Sequence, residues 1–286
     1  MKKQELYNKR DFFNRICLLI TQHPWILQKQ EQFYALLGEF QTKAERSLFL
    51  DLLDDYCVVE ESSLKWLLEG MARFISERTS QSNYTIVSAF TRSREPDSGQ
   101  VIVQLLKPYL SMLEANRYSL INSLDKITDE VKKHPETDCI VLVDETVGSG
   151  RTLDNQLKYI KGLDRLKDKL ILVCVVAAIE SNIKTVIGGY SDVDLHCPLL
   201  LKKGITERYN GTSRISAVET MKLMESKLAV EVKGHKLEKY SFGYGGAEML
   251  YAHLDWNAPN SMFPIFWWPQ NKKGKNRHTI FFRSLD

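Results

Sequence analysis

Cysteine is scarce and scattered: the chain has five, Cys17, Cys57, Cys139, Cys174 and Cys197, with no C-x-x-C pair among them. Such spacing argues against a cysteine-based metal site. Cys139 and Cys174 lie inside apolar runs, where a thiol behaves as a small hydrophobe, and a reducing, cytoplasmic setting is expected. Long apolar stretches are lacking too. The nine-residue run Ile171–Ile179 falls far short of the ~20 residues that a membrane-spanning helix needs and reads as a central strand. The basic opening MKKQELYNKRDFFNRICLLITQHPW has an interrupted apolar stretch and no small-residue cleavage site, so neither a signal peptide nor a membrane span is expected. An excess of one charge is also missing. With 39 Lys and Arg against 36 Asp and Glu, the net charge is +3, which makes no case for a nucleic-acid or lipid surface. The cluster Lys272, Lys273, Lys275 and Arg277 is the only local support for one, and short basic runs are usually solvated.

A hydrophobic fraction of 43% over 286 residues is enough for one large or two modest domains. Residues 1–80 carry helical periodicity: FYALLGEF, RSLFLDLLDDY and SLKWLLEGMARFI place apolar residues three and four apart, so three to four amphipathic helices are expected, broken near Pro24. From Tyr84 the character changes. YTIVSAF reads as a strand, TRSREPDSG as a polar loop and VIVQLLKPYL as a helix. LILVCVVAA, SNIKTVIGGY and VDLHCPLLL continue as strand, crossover helix and strand. His196, alone in that last strand, reads as a core or rim residue. The expected division is a helical region over 1–80 and an α/β domain over 81–286, whose C-terminal segment from about 235 is set apart by glycines and aromatics. The α/β fold expected is an open, mainly parallel sheet with helices on both faces.

The chemistry concentrates in DCIVLVDETVGSGRTL, Asp138–Leu153. The β-branched run Ile140–Val143 ends in Asp144 and Glu145, as a buried parallel strand does where its C-terminal end opens onto a site. Gly148, Ser149 and Gly150 then deliver the chain into a helix beginning near Thr152. Glycines let backbone N–H groups approach a phosphate, Ser149 and Thr152 add hydroxyls, and the positive end of the helix dipole favours the anion. The two carboxylates are suited to accept hydrogen bonds from vicinal hydroxyls. A phosphate on one side and a diol on the other describe a ribose 5-phosphate. A Walker A loop is excluded because GSGRT lacks the spaced glycines and the lysine, and a dinucleotide fingerprint because its third glycine is absent. The remaining alternative is an ordinary strand-turn-helix whose acidic pair caps a loop.

Val143-Asp144-Glu145-Thr146-Val147-Gly148-Ser149-Gly150-Arg151-Thr152 resembles the site motif of the type I phosphoribosyltransferases: an apolar strand, two acidic residues, three variable positions, then Thr or Ser, Gly, any residue, Thr or Ser. The resemblance implies that Asp144 and Glu145 act at the ribose as catalytic residues and that Thr146 to Thr152 hold the 5-phosphate. It implies a magnesium ion carried by the ligand rather than by an all-protein cage, and homodimers are common among such enzymes. Purine-salvage members carry an acidic residue where Gly148 stands. The early loop of these enzymes holds pyrophosphate, which makes Thr91, Arg92, Ser93 and Arg94 candidates for that part.

The tail, NAPNSMFPIFWW, brings Asn257, Asn260 and Trp267 together with prolines, a combination suited to stacking on a base and reading its edge, or to sealing the core. It resembles the C-terminus of phosphoribosyltransferase-like effectors predicted in bacterial anti-phage systems, including some encoded beside retron reverse transcriptases, and ERSLFLDLLDDY resembles their N-terminal region. That resemblance implies a toxic, nucleotide-directed transferase or nucleotide N-glycosidase, restrained by partners such as a reverse transcriptase with its nucleic acid. The alternative is a regulatory module that binds a nucleotide without chemistry.

Overall fold

Cys139–Val147 is a strand in the computed structural model of the chain, which describes residues 2–92, 96–113 and 117–285. Two compact units form, one from Met1–Val59 with Lys203–Asp286 and the other from Glu60–Lys202. This differs from the division expected at residue 80. The helix Glu61–Arg78 goes with the sheet because its apolar stripe, Leu64, Leu68, Met71, Ala72 and Ile75, is buried there, whereas the tail goes with the earlier helices.

In the Glu60–Lys202 unit, six strands, β1 (Thr85–Ala89), β2 (Tyr118–Ile121), β3 (Cys139–Val147), β4 (Leu170–Ile179), β5 (Val193–His196) and β6 (Leu199–Leu201), form one parallel sheet. Among the described residues five α-helices accompany them: α1 (Glu61–Arg78), α2 (Ser98–Met112), α3 (Ile127–Lys133), α4 (Arg151–Lys161) and α5 (Glu180–Ile187). The order across the sheet is β2-β1-β3-β4-β5, with β6 continuing the β5 side of β4. Period-two alternation sorts the side chains. Ile86, Ile140, Leu142, Ile171 and Val173 meet Ile127, Leu153, Leu157 and Ile183 of α3, α4 and α5 in one apolar layer, while α1 and α2 cover the opposite face. Burial on both faces explains why β3 and β4 read as continuous apolar runs. The strand expected over VDLHCPLLL is split into β5 and β6, and β2 falls in a stretch that reads as helix formers and charge; its first three residues are half-buried at the sheet edge.

In the other unit, helices Lys2–Gln22, Gln30–Glu39, Lys43–Asp54 and Gly211–Glu225 surround the aromatic tail. Thr42 and Glu45 form a reciprocal capping box that starts the third of the chain's N-terminal helices. The strand Cys57–Val59 pairs in parallel with Tyr251–His253. Phe49 stacks on Phe266 with centroids 5.8 Å apart, and Tyr56 lies 5.0 Å from Phe281. Arg277, 9% exposed, binds both Glu39 carboxylate oxygens and donates to the Trp268 and Ile265 carbonyls at 2.7 and 2.9 Å. Among the described residues no helix is long and apolar enough to cross a membrane.

Candidate functional site at the end of the central strands

The chain runs from β1 outward to β2, then crosses back to β3 and proceeds in the other direction. The gap between the carboxyl ends of β1 and β3 is therefore a topological switch point, the place where open parallel sheets leave a crevice between loops that diverge. Ala89 pairs with Val143, where β1 ends, while β3 runs on beside β4 to Val147, so Asp144 is the first residue of β3 beyond the end of β1. Phe90 N–H donates to the Val143 carbonyl at 3.1 Å and closes the ladder.

Beyond β3 a short turn leads into α4. Gly150 is the N-cap of α4 with φ 79°, left-handed, and no side chain caps that helix. A Cβ at Gly150 would lie 2.8 Å from Val186 Cγ2, so both conformation and space require glycine. The Asn182 amide, from α5, donates to the Gly148 carbonyl at 2.9 Å and pins the turn. Arg151 and Thr152 are exposed on the first turn, Ser149, Gly148 and Thr146 are half-buried, and Val147 is core. The helix start is thus a turn of backbone N–H groups without an internal acceptor, which suits an anion.

Asp144 is half-buried and Glu145 is 2% exposed. Asp144 Oδ1 accepts the Glu145 N–H at 2.7 Å and the Ser98 hydroxyl at 3.4 Å. Burial, with the Asp97 charge next in weight, pushes the Asp144 carboxyl up to about 8. A desolvated carboxyl group near another acid holds its proton until a donor or cation arrives. Asp97, Ser98 and Gly99 are residues that the motif did not mark. Asp97 caps α2, accepting the Gln100 N–H at 3.2 Å, and an Asp-Ser-Gly run before VIVQLLKPYL is a legible helix start.

Thr91 is 7% exposed and its carbonyl accepts the Leu124 N–H at 2.8 Å. Arg92 donates to Asp125 at 2.9 Å and lies over the Tyr159 ring of α4 at 3.9 Å, so its cation is engaged. Ser93 and Arg94 lie outside the described residues. His196 stacks on Phe74 with centroids 4.9 Å apart, and burial lowers its pKa, in keeping with a structural part.

The tail corrects the expectation for Trp267. Its ring is 1% exposed, meets Tyr240 edge-on at 5.5 Å and Trp268 at 5.3 Å, and its indole N–H donates to the Met262 carbonyl at 3.2 Å. A ring so enclosed has no face left for a base; the aromatics are core because tail and N-terminal helices share one apolar cluster. Asn257 accepts the Ser284 N–H at 2.7 Å, and the half-buried Asn260 accepts the Tyr244 N–H on its main-chain carbonyl at 2.8 Å.

A family model described as PRTase-CE matches residues 25–283. The chain belongs to the PRTase-CE family. The family is phosphoribosyltransferase-like, and the match takes in residues of both units. Solved structures similar to it include a hypothetical protein from Neisseria gonorrhoeae with bound ppGpp, 12% identical over 51% of this chain and 83% of that one, TM-score 0.35. A hypoxanthine-guanine phosphoribosyltransferase from Schistosoma mansoni in complex with IMP is 12% identical over 50% and 67%, TM-score 0.33. A xanthine-guanine-hypoxanthine phosphoribosyltransferase from Helicobacter pylori is 15% identical over 49% and 90%, TM-score 0.31. Among curated proteins no match was found.

Proposed function

We propose that the chain is a phosphoribosyltransferase-like enzyme that binds a ribose 5-phosphate-containing ligand and makes or breaks a bond at its anomeric carbon. The observation that carries this reading is the uncapped, glycine-started helix α4 at the sheet's switch point, with Asp144 on β3 one residue past the end of its pairing with β1. The 5-phosphate is assigned to Gly148–Thr152 and the ribose hydroxyls to Asp144 and Glu145. Positive charge that develops on the ribose in an oxocarbenium-like transition state favours the ionised form of Asp144, and a carboxylate fixed beforehand by the Glu145 N–H stabilises it without reorganising.

Among the described residues no group of three His, Cys, Asp or Glu side chains converges as a metal cage. The carboxylates of Asp97 and Asp144 beside Gly99 fit a magnesium ion held mostly by ligand oxygens and water. Bound in that way, magnesium would supply neutralisation of ligand oxygens.

Titration calorimetry with ribose 5-phosphate and a panel of nucleotides, followed by mass spectrometry of the ligand, tests the reading. Binding that Gly150→Val abolishes, with turnover that Asp144→Asn and Glu145→Gln together remove, is the expected result. Binding without turnover would point instead to a nucleotide-binding regulatory module. The resemblance of the tail supports a part in anti-phage defence, and loss of phage protection in the double variant, in cells carrying the native locus, tests it.

A further inference from the structure

In the unit that holds the tail, two stretches distant in sequence are laced into one ribbon. Residues 227–232 join residues 270–272, with Ala229 N–H donating to the Gln270 carbonyl at 3.0 Å, Lys272 N–H donating to the Lys227 carbonyl at 2.7 Å and Leu228 bridging Asn271. They also turn back on residues 235–237, Glu231 pairing with Lys236 and the Leu237 N–H donating to the Val230 carbonyl at 2.9 Å. The ribbon gathers six exposed lysines, Lys233, Lys236, Lys239, Lys272, Lys273 and Lys275. The other lysine and arginine of these stretches, Lys227 and Arg277, are committed to Glu45 and Glu39; among the described residues none of the six is in an ion pair. Six ammonium groups thus face two exposed carboxylates, Glu231 and Glu238. The basic cluster seen in the sequence loses Arg277 to the core and gains three lysines from the hairpin.

Both turns that carry these charges are firmly built. Asn271 Oδ1 accepts the Lys273 and Lys275 N–H groups at 2.9 and 3.1 Å, and Gly274 is left-handed at φ 71°. The hairpin turn holds Lys233 at φ 48°, a place that asparagine or glycine usually takes. Like charges rooted so close together repel one another, and a multivalent anion reverses the sign of that interaction. Aromatic rings stand among the lysines. The Tyr240 hydroxyl lies 3.0 Å from His235 Nδ1, and the Tyr240 ring, braced edge-on by Trp267 at 5.5 Å, is 6.3 Å from Tyr244, which is 37% exposed. We propose that this ribbon binds single-stranded nucleic acid, with the lysines on successive phosphates and Tyr244, backed by Tyr240, as a stacking surface for a base. A duplex offers no unstacked base to such a ring. An anionic lipid surface calls for a row of apolar side chains to insert, and Val230 is the exposed large apolar residue of these stretches. The proposal is independent of the ribosyl-phosphate site.

The test is fluorescence anisotropy of a labelled mixed-sequence single strand, offered as DNA and as RNA, titrated with the full chain at two salt concentrations; binding of either supports the inference. If each of the six lysines neutralises one phosphate, affinity should fall on the order of 300-fold between about 50 and about 200 mM salt. The triple variant Lys272→Gln, Lys273→Gln, Lys275→Gln should bind more weakly at the lower salt and lose only on the order of 20-fold over the same range. Tyr244→Ala should weaken binding on the order of tenfold without altering the salt dependence, because stacking releases no counterions. Circular dichroism and thermal melting check that both variants are folded as wild type is. No binding of either strand at the lower salt overturns the inference, as does binding that neither variant changes. Tighter binding of a DNA duplex, of polyglutamate or of phosphatidylserine vesicles than of the single strands overturns it as well.

Discussion

Replacing Asp144 with Asn should make the ligand-free protein more stable at alkaline pH, although the same change should cripple the site. Asn is nearly isosteric, and its Oδ1 can still accept the Glu145 N–H and the Ser98 hydroxyl that Asp144 accepts at 2.7 and 3.4 Å. What it removes is the cost of ionising a carboxyl group whose pKa rises from 3.8 to about 8 on folding. Because the folded chain holds this proton and the unfolded chain releases it, stability falls as pH rises from about 4 to about 8 and levels off above. Each pH unit in that window is worth about 1.4 kcal/mol, which sets a ceiling on the order of 5 kcal/mol. Water reaching a half-buried carboxylate reduces it, and a difference of about 2–3 kcal/mol between variant and wild type above pH 8 is the working expectation. Urea denaturation of both proteins at pH 5, 6.5 and 8.5 gives the difference curve, in which other titrating groups such as Glu225 cancel. Parallel curves, or a wild type that gains on the variant as pH rises, would refute the account of Asp144 as a desolvated acid held beside Asp97.

Gly150→Ala should cost about 1–3 kcal/mol, from the left-handed conformation and the Val186 methyl 2.8 Å away, and should reduce ribose 5-phosphate binding far more than that loss; thermal melting and calorimetry on one preparation separate the two effects. Asn182→Ala removes the bond that pins the Gly148 carbonyl; about 0.5–1.5 kcal/mol of stability should go, with ribose 5-phosphate affinity falling at constant fold by circular dichroism. Arg277→Ala leaves Glu39 and two carbonyls without their shared donor, so denaturant unfolding should show a loss of about 3–5 kcal/mol; a loss below 1 kcal/mol would show that the pair is solvated.

The parts that could be read from the chain alone were those fixed by local chemistry. Ile140–Val143 followed by two acids and Gly148-Ser149-Gly150 dictates strand, turn and helix start because each residue type has few other uses in that order. The surroundings of Asp144 were harder to see. Asp97 and Ser98 are 47 and 46 positions earlier in the chain, and only the parallel pairing of β1 with β3 brings the start of α2 to that carboxyl group. Trp267 shows the opposite problem. An aromatic beside prolines and amides has the same composition whether it faces a ligand or a core, and its place was decided by apolar stripes on helices more than 200 residues away, around Phe33, Phe49 and Leu52. The strand at Tyr118–Ile121 escaped notice because an edge strand half-covered by protein carries a weaker pattern than a central one.

The interleaving of the two units bears on how the protein comes into being. Glu60–Lys202 is one uninterrupted stretch, so its sheet can close while the ribosome is still reading the message. Residues 1–59 emerge earlier, yet Phe263, Ile265, Phe266 and Arg277, which complete their core, are made only after the sheet's whole stretch. For most of synthesis those N-terminal helices carry uncovered apolar stripes, the state in which nascent chains aggregate or recruit chaperones. A premature stop before Phe263 would leave the sheet able to form and the other unit unable to, so the loss of a segment made late would be felt in one made early.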